Sequence, residues 1–355
     1  MHYRFLLISV IAIFFMGCIS AQSADLKTSP GYWKVSDAKG LINAASKMGP
    51  YGGTIVLKPG IYVIDKTITF TKVNHITIEG GGWDTGIQKR GEGDVLVFVD
   101  CGFTFIKNLL VGGDGSAKTG SGIVFKGYSS SNTIDTCRIS GNALSGIRFE
   151  GDAKLPQSCN MVKYCHFIDN RGDQLWSQHN NDYYIIGNQF GAHQRVNDLA
   201  PTAGAIMDHS SAGTYTMNYH WENKIAMRLG PGSHFNRIEN NRFEMSRECG
   251  VVIGSPDDGE GSYLNIFTGN TIHTNSMGKT GAFPAVQAYN SVQTTFTSNQ
   301  VFSWNNADYM HKSSVVMGKG CDKWIVKDNF FYHNTEKPLV YDEKASHIIK
   351  DNVTD

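Results

Sequence analysis

The stretch "RIENNRFEMSRECGVVIG", residues 237–254, decides how this chain folds. It sets asparagines beside isolated Ile and Phe, passes through a charged bend and ends in a short apolar run, a pattern that no helix needs. It also recurs. "FIKNLLV", "IDTCRIS", "VKYCHFI", "IIGNQFG", "HWENKIA", "IENNRFE", "FTGNTIH", "FTSNQVF", "VKDNFFY" and "IKDNVTD" share its form. Their fourth residues are Asn108, Cys137, Cys165, Asn188, Asn223, Asn241, Asn270, Asn299, Asn329 and Asn352, and most successive intervals lie between 28 and 30 residues. A near-constant period with Asn at one phase predicts a solenoid. A second short strand follows many of these points, as in "GIVF", "GIRF", "AMRL", "GVVI", "AVQA" and "SVVM".

One such coil cannot bury its apolar face alone, whereas stacked coils place each strand about 4.8 Å from its copy and share a continuous core. Asn at a fixed phase then satisfies backbone groups that the bends leave open. Cys137 and Cys165 fall on neighbouring coils, where a packed thiol pair is expected rather than a disulfide. Ahead of the repeats, "SDAKGLINAASKM" predicts a short amphipathic helix with Ser36 as its N-cap. Such a helix would plug the open end of the solenoid, where a bare sheet edge invites aggregation.

The repeats from about Gly52 to Asn352, with the leading "GGTIVLKPGIYVIDKTITF" and "HITIEGGGW", resemble the right-handed parallel β-helix proteins of the pectate-lyase-like superfamily. The resemblance implies an all-β solenoid of about ten coils with a short N-terminal capping helix, forming one domain over residues 25–355. It also implies a carbohydrate-active protein. The fold alone does not assign the function, which must be argued from a site.

The 355 residues carry a formal net charge of zero. Balanced charge, with no basic block and no Gly-rich phosphate loop, excludes a non-specific nucleic-acid binder. Residues 1–24 read as a targeting segment, with a basic start at His2 and Arg4 and an apolar run too short to span a bilayer. "FMGC" resembles a bacterial lipobox with Cys18 as the lipidated residue and Phe15 where Leu is usual; ordinary signal cleavage near Ala21–Ala24 is the alternative. Either reading predicts export, to the periplasm, the outer membrane or the medium, with membrane contact only through a lipid on Cys18. The six cysteines beyond Cys18 contain no CxxC pair, which excludes a structural zinc site of the usual kind, and are too few for a disulfide scaffold, though one or two bridges are compatible with export.

In "GIVFKG" and "GIRFEG" the Ile and Phe point inward, so their neighbours point out. Carried through the coils, this phase predicts one outward column of Val124, Arg148, Trp176, Ile206, Arg228, Val252, Gln287 and Val316. A second column holds Lys126, Glu150, Gln178, Asp208, Gly230, Gly254, Tyr289 and Gly318. The early and middle coils are charged and aromatic, and the long insertion "GAHQRVNDLAPTAG" at 191–204 arises beside them, as a polysaccharide cleft requires. Two mechanisms suit such a cleft. A lyase removes the proton α to a uronate carboxylate, using a cation or Ca²⁺ to neutralise that carboxylate and a base to take the proton; Lys126, Arg148, His209, Lys224, Arg228 and Arg247 are candidates. A glycoside hydrolase uses two carboxylates; Glu150 and Asp208 stand two coils apart, roughly 9–10 Å. Trp176, Trp221 and Tyr289 are candidates for stacking on sugar rings, with packing under the 191–213 loop the alternative for Trp221 and Gln178 a further substrate contact.

Three further stretches tilt the choice. "AIMDHSS", 205–211, looks like the pectate-lyase "W-I-D-H" strand, whose aspartate binds Ca²⁺, which implies Asp208 here. "NYHWENKIAMRLG" is similar to a second family stretch and implies Glu222 as another Ca²⁺ ligand, with Lys224 matched across a one-residue gap. "SRECGVVIG" falls where those lyases have "R-x-P-x-x-R", implying Arg247 as base, although Cys249 replaces the Pro and Val252 the second Arg. The paired aspartates and Gly-His-Gly of polygalacturonases are absent. The sequence therefore predicts an exported lyase acting on an acidic polysaccharide, with a hydrolase or a non-catalytic glycan-binding solenoid as alternatives.

Overall fold

The computed structural model describes residues 31–192, 202–257, 259–304 and 307–355. The stretch 237–254 is one coil of a parallel β-helix. Arg237–Glu239 lies in a first sheet, Arg242–Glu244 in a second and Val251–Ile253 in a third. These three sheets hold 13, 12 and 11 strands, so the solenoid is longer than the ten coils counted from the repeats. Every pairing is parallel. The first strand, Gly31–Val35, pairs with Gly53–Leu57, so the solenoid starts before Gly52.

The tight turn from the first sheet to the second explains the repeated Asn. Its first residue is left-handed and its second joins a ladder running along the axis. Asn241 accepts from the backbone N–H of Asn218 at 2.9 Å, and its amide group donates to Tyr215 O and to Asn270 Oδ1. The same triad links Asn188, Asn218, Asn241, Asn270, Asn299, Asn329 and Asn352. Two sequence assignments are corrected. The ladder member after Asn188 is Asn218, not Asn223, which instead caps the end of the strand Tyr219–Trp221. Asn108 occupies the left-handed position, and Leu109 stands opposite Cys137. Cys137 and Cys165 do stack as free thiols, Cys137 N–H donating to Cys165 Sγ at 3.4 Å, and all six described cysteines are free.

The core is a set of columns. Phe70, Phe98, Phe125 and Phe149 stack at 4.9–5.2 Å inside the third sheet. Phe167, Phe190, His220 and Phe243 stack inside the second at 4.6–5.1 Å. The predicted helix spans Ala38–Ser46 and buries Leu41 and Ala44 against the first coils; its N-cap is Asp37, which accepts from Gly40 N–H, rather than Ser36. The targeting segment and most of the 191–204 insertion lie outside the described residues.

Candidate active site on the third sheet

Register places the predicted outward columns as the alternation requires. Val124, Arg148, Trp176, Ile206, Arg228, Val252, Gln287 and Val316 are consecutive partners across eight strands. Lys126, Glu150, Gln178 and Asp208 form the second column. From Arg148 to Val316 each residue of the first column is half-buried, whereas Val124 is fully covered and closes one end.

At that end Arg148 forms a close ion pair with Glu150 (Nε to Oε1, 2.9 Å), Lys126 approaches the other oxygen at 3.6 Å, and the Arg148 guanidinium lies 4.4 Å over the Trp176 ring. Two of the predicted cations thus share one carboxylate, which offsets one of their two charges. Arg228, two strands beyond Trp176, has no ion-pair partner among the described residues. Asp173, in the turn that leads into the Leu175–Gln178 strand, was missed by the sequence reading. Burial pushes its carboxyl up to about 6, opposed by the charges of Arg148 and Arg228 and by a bond from Ala203 N–H, and its Oδ1 has no hydrogen-bond partner.

At the trailing edge of the strands Asp208 Oδ1 holds His209 Nδ1 at 3.2 Å, and Glu260 Oε2 holds Nε2 at 2.9 Å. His179, one coil earlier and also missed, lies 5.0 Å from His209, ring to ring; burial and then that second imidazole hold its pKa below the usual histidine value. Gly230 faces Asp208, and a Cβ there would stand 2.5 Å from Oδ1, so this position must stay bare for the carboxylate to keep its place. Tyr289 lies four coils beyond Gln178, its hydroxyl pKa raised by burial.

The remaining candidates are at the leading edge. Lys224 pairs with Glu248 at 3.5 Å in a turn, and Arg247, whose backbone N–H bonds Asn223 O, sits in the next turn. Glu222 lies beside Tyr219. Ile225 is level with Ala203, so Glu222 and Asp208 are separated by the strand's length, on the order of 16 Å. They cannot share one calcium ion, and among the described residues no three His, Cys, Asp or Glu gather to hold a metal. The Ca²⁺ ligand pair implied by the resemblance does not fit this chain.

A family model described as a right-handed beta helix region matches residues 56–218. Similar solved structures include the Dettilon tailspike protein (gp208), at 13% identity and TM-score 0.65, covering 87% of this chain and 64% of that one. The A-module of mannuronan C-5 epimerase AlgE4 from Azotobacter vinelandii, at 13% and 0.66, covers 90% and 97%. An alginate lyase from Paenibacillus sp. str. FPU-7, at 14% and 0.56, covers 90% and 98%. The chain spans under two thirds of the tailspike's length. No curated protein sequence matches. At these identities the likeness shows the fold: an all-β, right-handed parallel β-helix.

Proposed function

We propose that the chain is an exported lyase that cleaves a uronate-containing polysaccharide by β-elimination on the outward face of the third sheet. The observation that carries this reading is Arg228, a half-buried guanidinium with no ion-pair partner among the described residues, in the coils just beyond those bearing His179 and His209. A fixed cation of this kind neutralises the substrate carboxylate as the adjacent C–H bond weakens. His179, kept neutral by burial, accepts the C5 proton; the C4–O bond breaks as the C4=C5 double bond forms. His209, whose Nδ1 is held by Asp208, would deliver a proton to the leaving oxygen from Nε2 once the exposed Glu260 side chain gives way to substrate. Trp176, backed by Arg148, offers an apolar face to a sugar ring. Two of the similar structures carry mannuronan and alginate in their names, which supports a uronate polymer as the substrate class.

One observation favours a second reading. A carboxyl titrating at about 6 is suited to protonate a leaving group, and Asp173 with Glu150 or Asp208 would then act as a hydrolase. The experiment that separates the two uses protein lacking residues 1–24, offered uronate-rich and neutral polysaccharides with and without EDTA. Unsaturated-uronate absorbance rising with new reducing ends is expected, unaffected by EDTA. Reducing ends without the absorbance would sink the lyase in favour of the hydrolase. Silence on both would leave a glycan-binding solenoid.

A further inference from the structure

The outer face of the second sheet carries a constellation that the third-sheet groove does not use. Its first outward position reads Arg138, His166, Gln189, Tyr219, Arg242 and Thr271 in register. The other outward position includes Trp221, Glu244, His273 and Phe302. Glu244 and His273 point away from the core yet are only 4% and 3% exposed. Glu244 accepts from the Tyr219 hydroxyl and pairs with Arg242, while His273 Nε2 stands 2.7 Å from its Oε2. Arg242 is also stacked on Tyr219 at 5.1 Å, so its guanidinium is fixed from two sides while about half of its side chain stays in solvent.

Aromatic rings extend this cluster along the axis. Trp221 lies across Gly191, where a Cβ would meet its ring at 2.0 Å, and stacks on His166 and Tyr219 at 5.9 and 5.1 Å. Trp83 arrives from a turn several coils earlier. Its indole N–H donates to Thr136 O and its ring stacks on His166 at 5.5 Å, yet it remains 43% exposed. At the other end Trp304, 46% exposed, stands 5.8 Å from His273. A merely solvated sheet face has no use for an exposed indole pinned as Trp83 is, because ordering such a side chain costs entropy.

We propose that this face is a second, non-catalytic glycan site, which holds an anionic oligosaccharide along the second sheet between Trp83 and Trp304. Rings with a polar edge beside a fixed guanidinium are the chemistry that grips sugars. Charge sets the ligand class. Arg138 and Arg242 share one column, roughly 19 Å apart by strand spacing. The one carboxylate at an outward position of these strands, Glu244, pairs with Arg242 and offsets its charge, which leaves the positive charge of Arg138 in surplus on this face. The uronate identity of the ligand rests on the proposed function; the site does not.

The test is equilibrium binding of end-labelled oligogalacturonate and oligomannuronate, with a neutral oligodextran of matched length as control. The protein is the chain lacking residues 1–24 and bearing Arg228→Gln, which weakens uronate binding in the groove by about 10- to 200-fold. One equivalent of a uronate probe should still bind. Adding Trp83→Ala should weaken it at least tenfold, and Arg242→Gln should do the same. Trp83→Ala removes an exposed ring and leaves the Glu244 network intact, so an unchanged melting temperature keeps its result clear of misfolding. No binding of either uronate, binding unmoved by both substitutions, or equal binding of oligodextran would overturn the proposal. So would a fall in turnover of a short soluble substrate when Trp83→Ala stands alone, since the face would then belong to the active site. A groove that lacks lyase activity would appear instead as absent turnover by the parent chain, which the binding titration does not involve.

Discussion

Arg228 is the residue on which the lyase reading turns. Its guanidinium meets a substrate carboxylate without first leaving a protein carboxylate, so its contribution to binding is not offset by a broken ion pair. Arg228→Gln should therefore lower kcat/KM by about 10- to 200-fold, the worth of one charge-assisted hydrogen bond, with melting temperature unchanged. An unaltered kcat/KM would place the carboxylate elsewhere. Asp173 makes a separate prediction through its titration. Its folded-state value of about 6 lies above the ordinary aspartate value, so the native state binds this proton more tightly than the unfolded chain does. That contribution is complete below about pH 4 and is lost as pH rises to 6. Asp173→Asn should thus leave stability unchanged at pH 4 and raise it by roughly 2–3 kcal/mol at pH 7.5, read from urea midpoints at the two pH values. The outward columns were legible because strand alternation and register are one geometric rule, and Arg148, Trp176 and Arg228 obey it. Asp173 and His179 were not, because both sit in turns, where alternation says nothing, and what marks them is burial supplied by neighbouring coils.

At the scale of the element, the tight turn between the first and second sheets is held by the asparagine that follows its left-handed residue. Asn218 was passed over in the sequence because the residue before it is Met217, at φ 56°, where a reader expects Gly, Asn or Asp. "HWEN" offered a nearer match to the repeat, although the ladder through Asn218 accounts for the backbone hydrogen bonds that Asn223 does not make. The strain at Met217 persists because the coils on both sides dictate the turn. Asn241→Ala should consequently be expensive. It strands the buried N–H of Asn218 and takes one hydrogen bond each from the Tyr215 carbonyl and the amide oxygen of Asn270, which keeps the backbone N–H of residue 241, and a loss of about 2 kcal/mol or more is expected in urea unfolding. A loss below 1 kcal/mol would show that water replaces the ladder. Cys165 stands where later coils have Asn and offers only a weak sulfur acceptor to Cys137 N–H.

For the whole molecule, the solenoid was readable because every coil must satisfy the same backbone and bury the same columns, whatever its outward residues do. That freedom of the outer faces is also why neither the reaction nor the second-sheet cluster could be read from the repeat: no coil needs Glu244 beside His273 in order to stack. The stacked core has a consequence for acid stability. His220 stands in the aromatic column of the second sheet, and burial holds its pKa down at about 3; His311, buried against Ser303, is held near 4. Both imidazoles are neutral when folded and free to protonate when unfolded. The stability they depend on is complete above about pH 6.5 and falls as pH drops toward those folded values, by about 1.4 kcal/mol per pH unit for each histidine. Between pH 6 and pH 4.5 the two together should remove roughly 4 kcal/mol, partly masked above pH 4 by the gain from Asp173. His220→Phe tests the assignment, since Phe fits a column already built of Phe190 and Phe243 and does not titrate. Because the Asp173 gain offsets about as much as one histidine removes, the variant should lose most of the net decline in urea midpoint between pH 6 and pH 4.5 while giving up the bond with the Tyr215 hydroxyl at every pH. A decline as steep as the parent's would move the acid sensitivity away from the core.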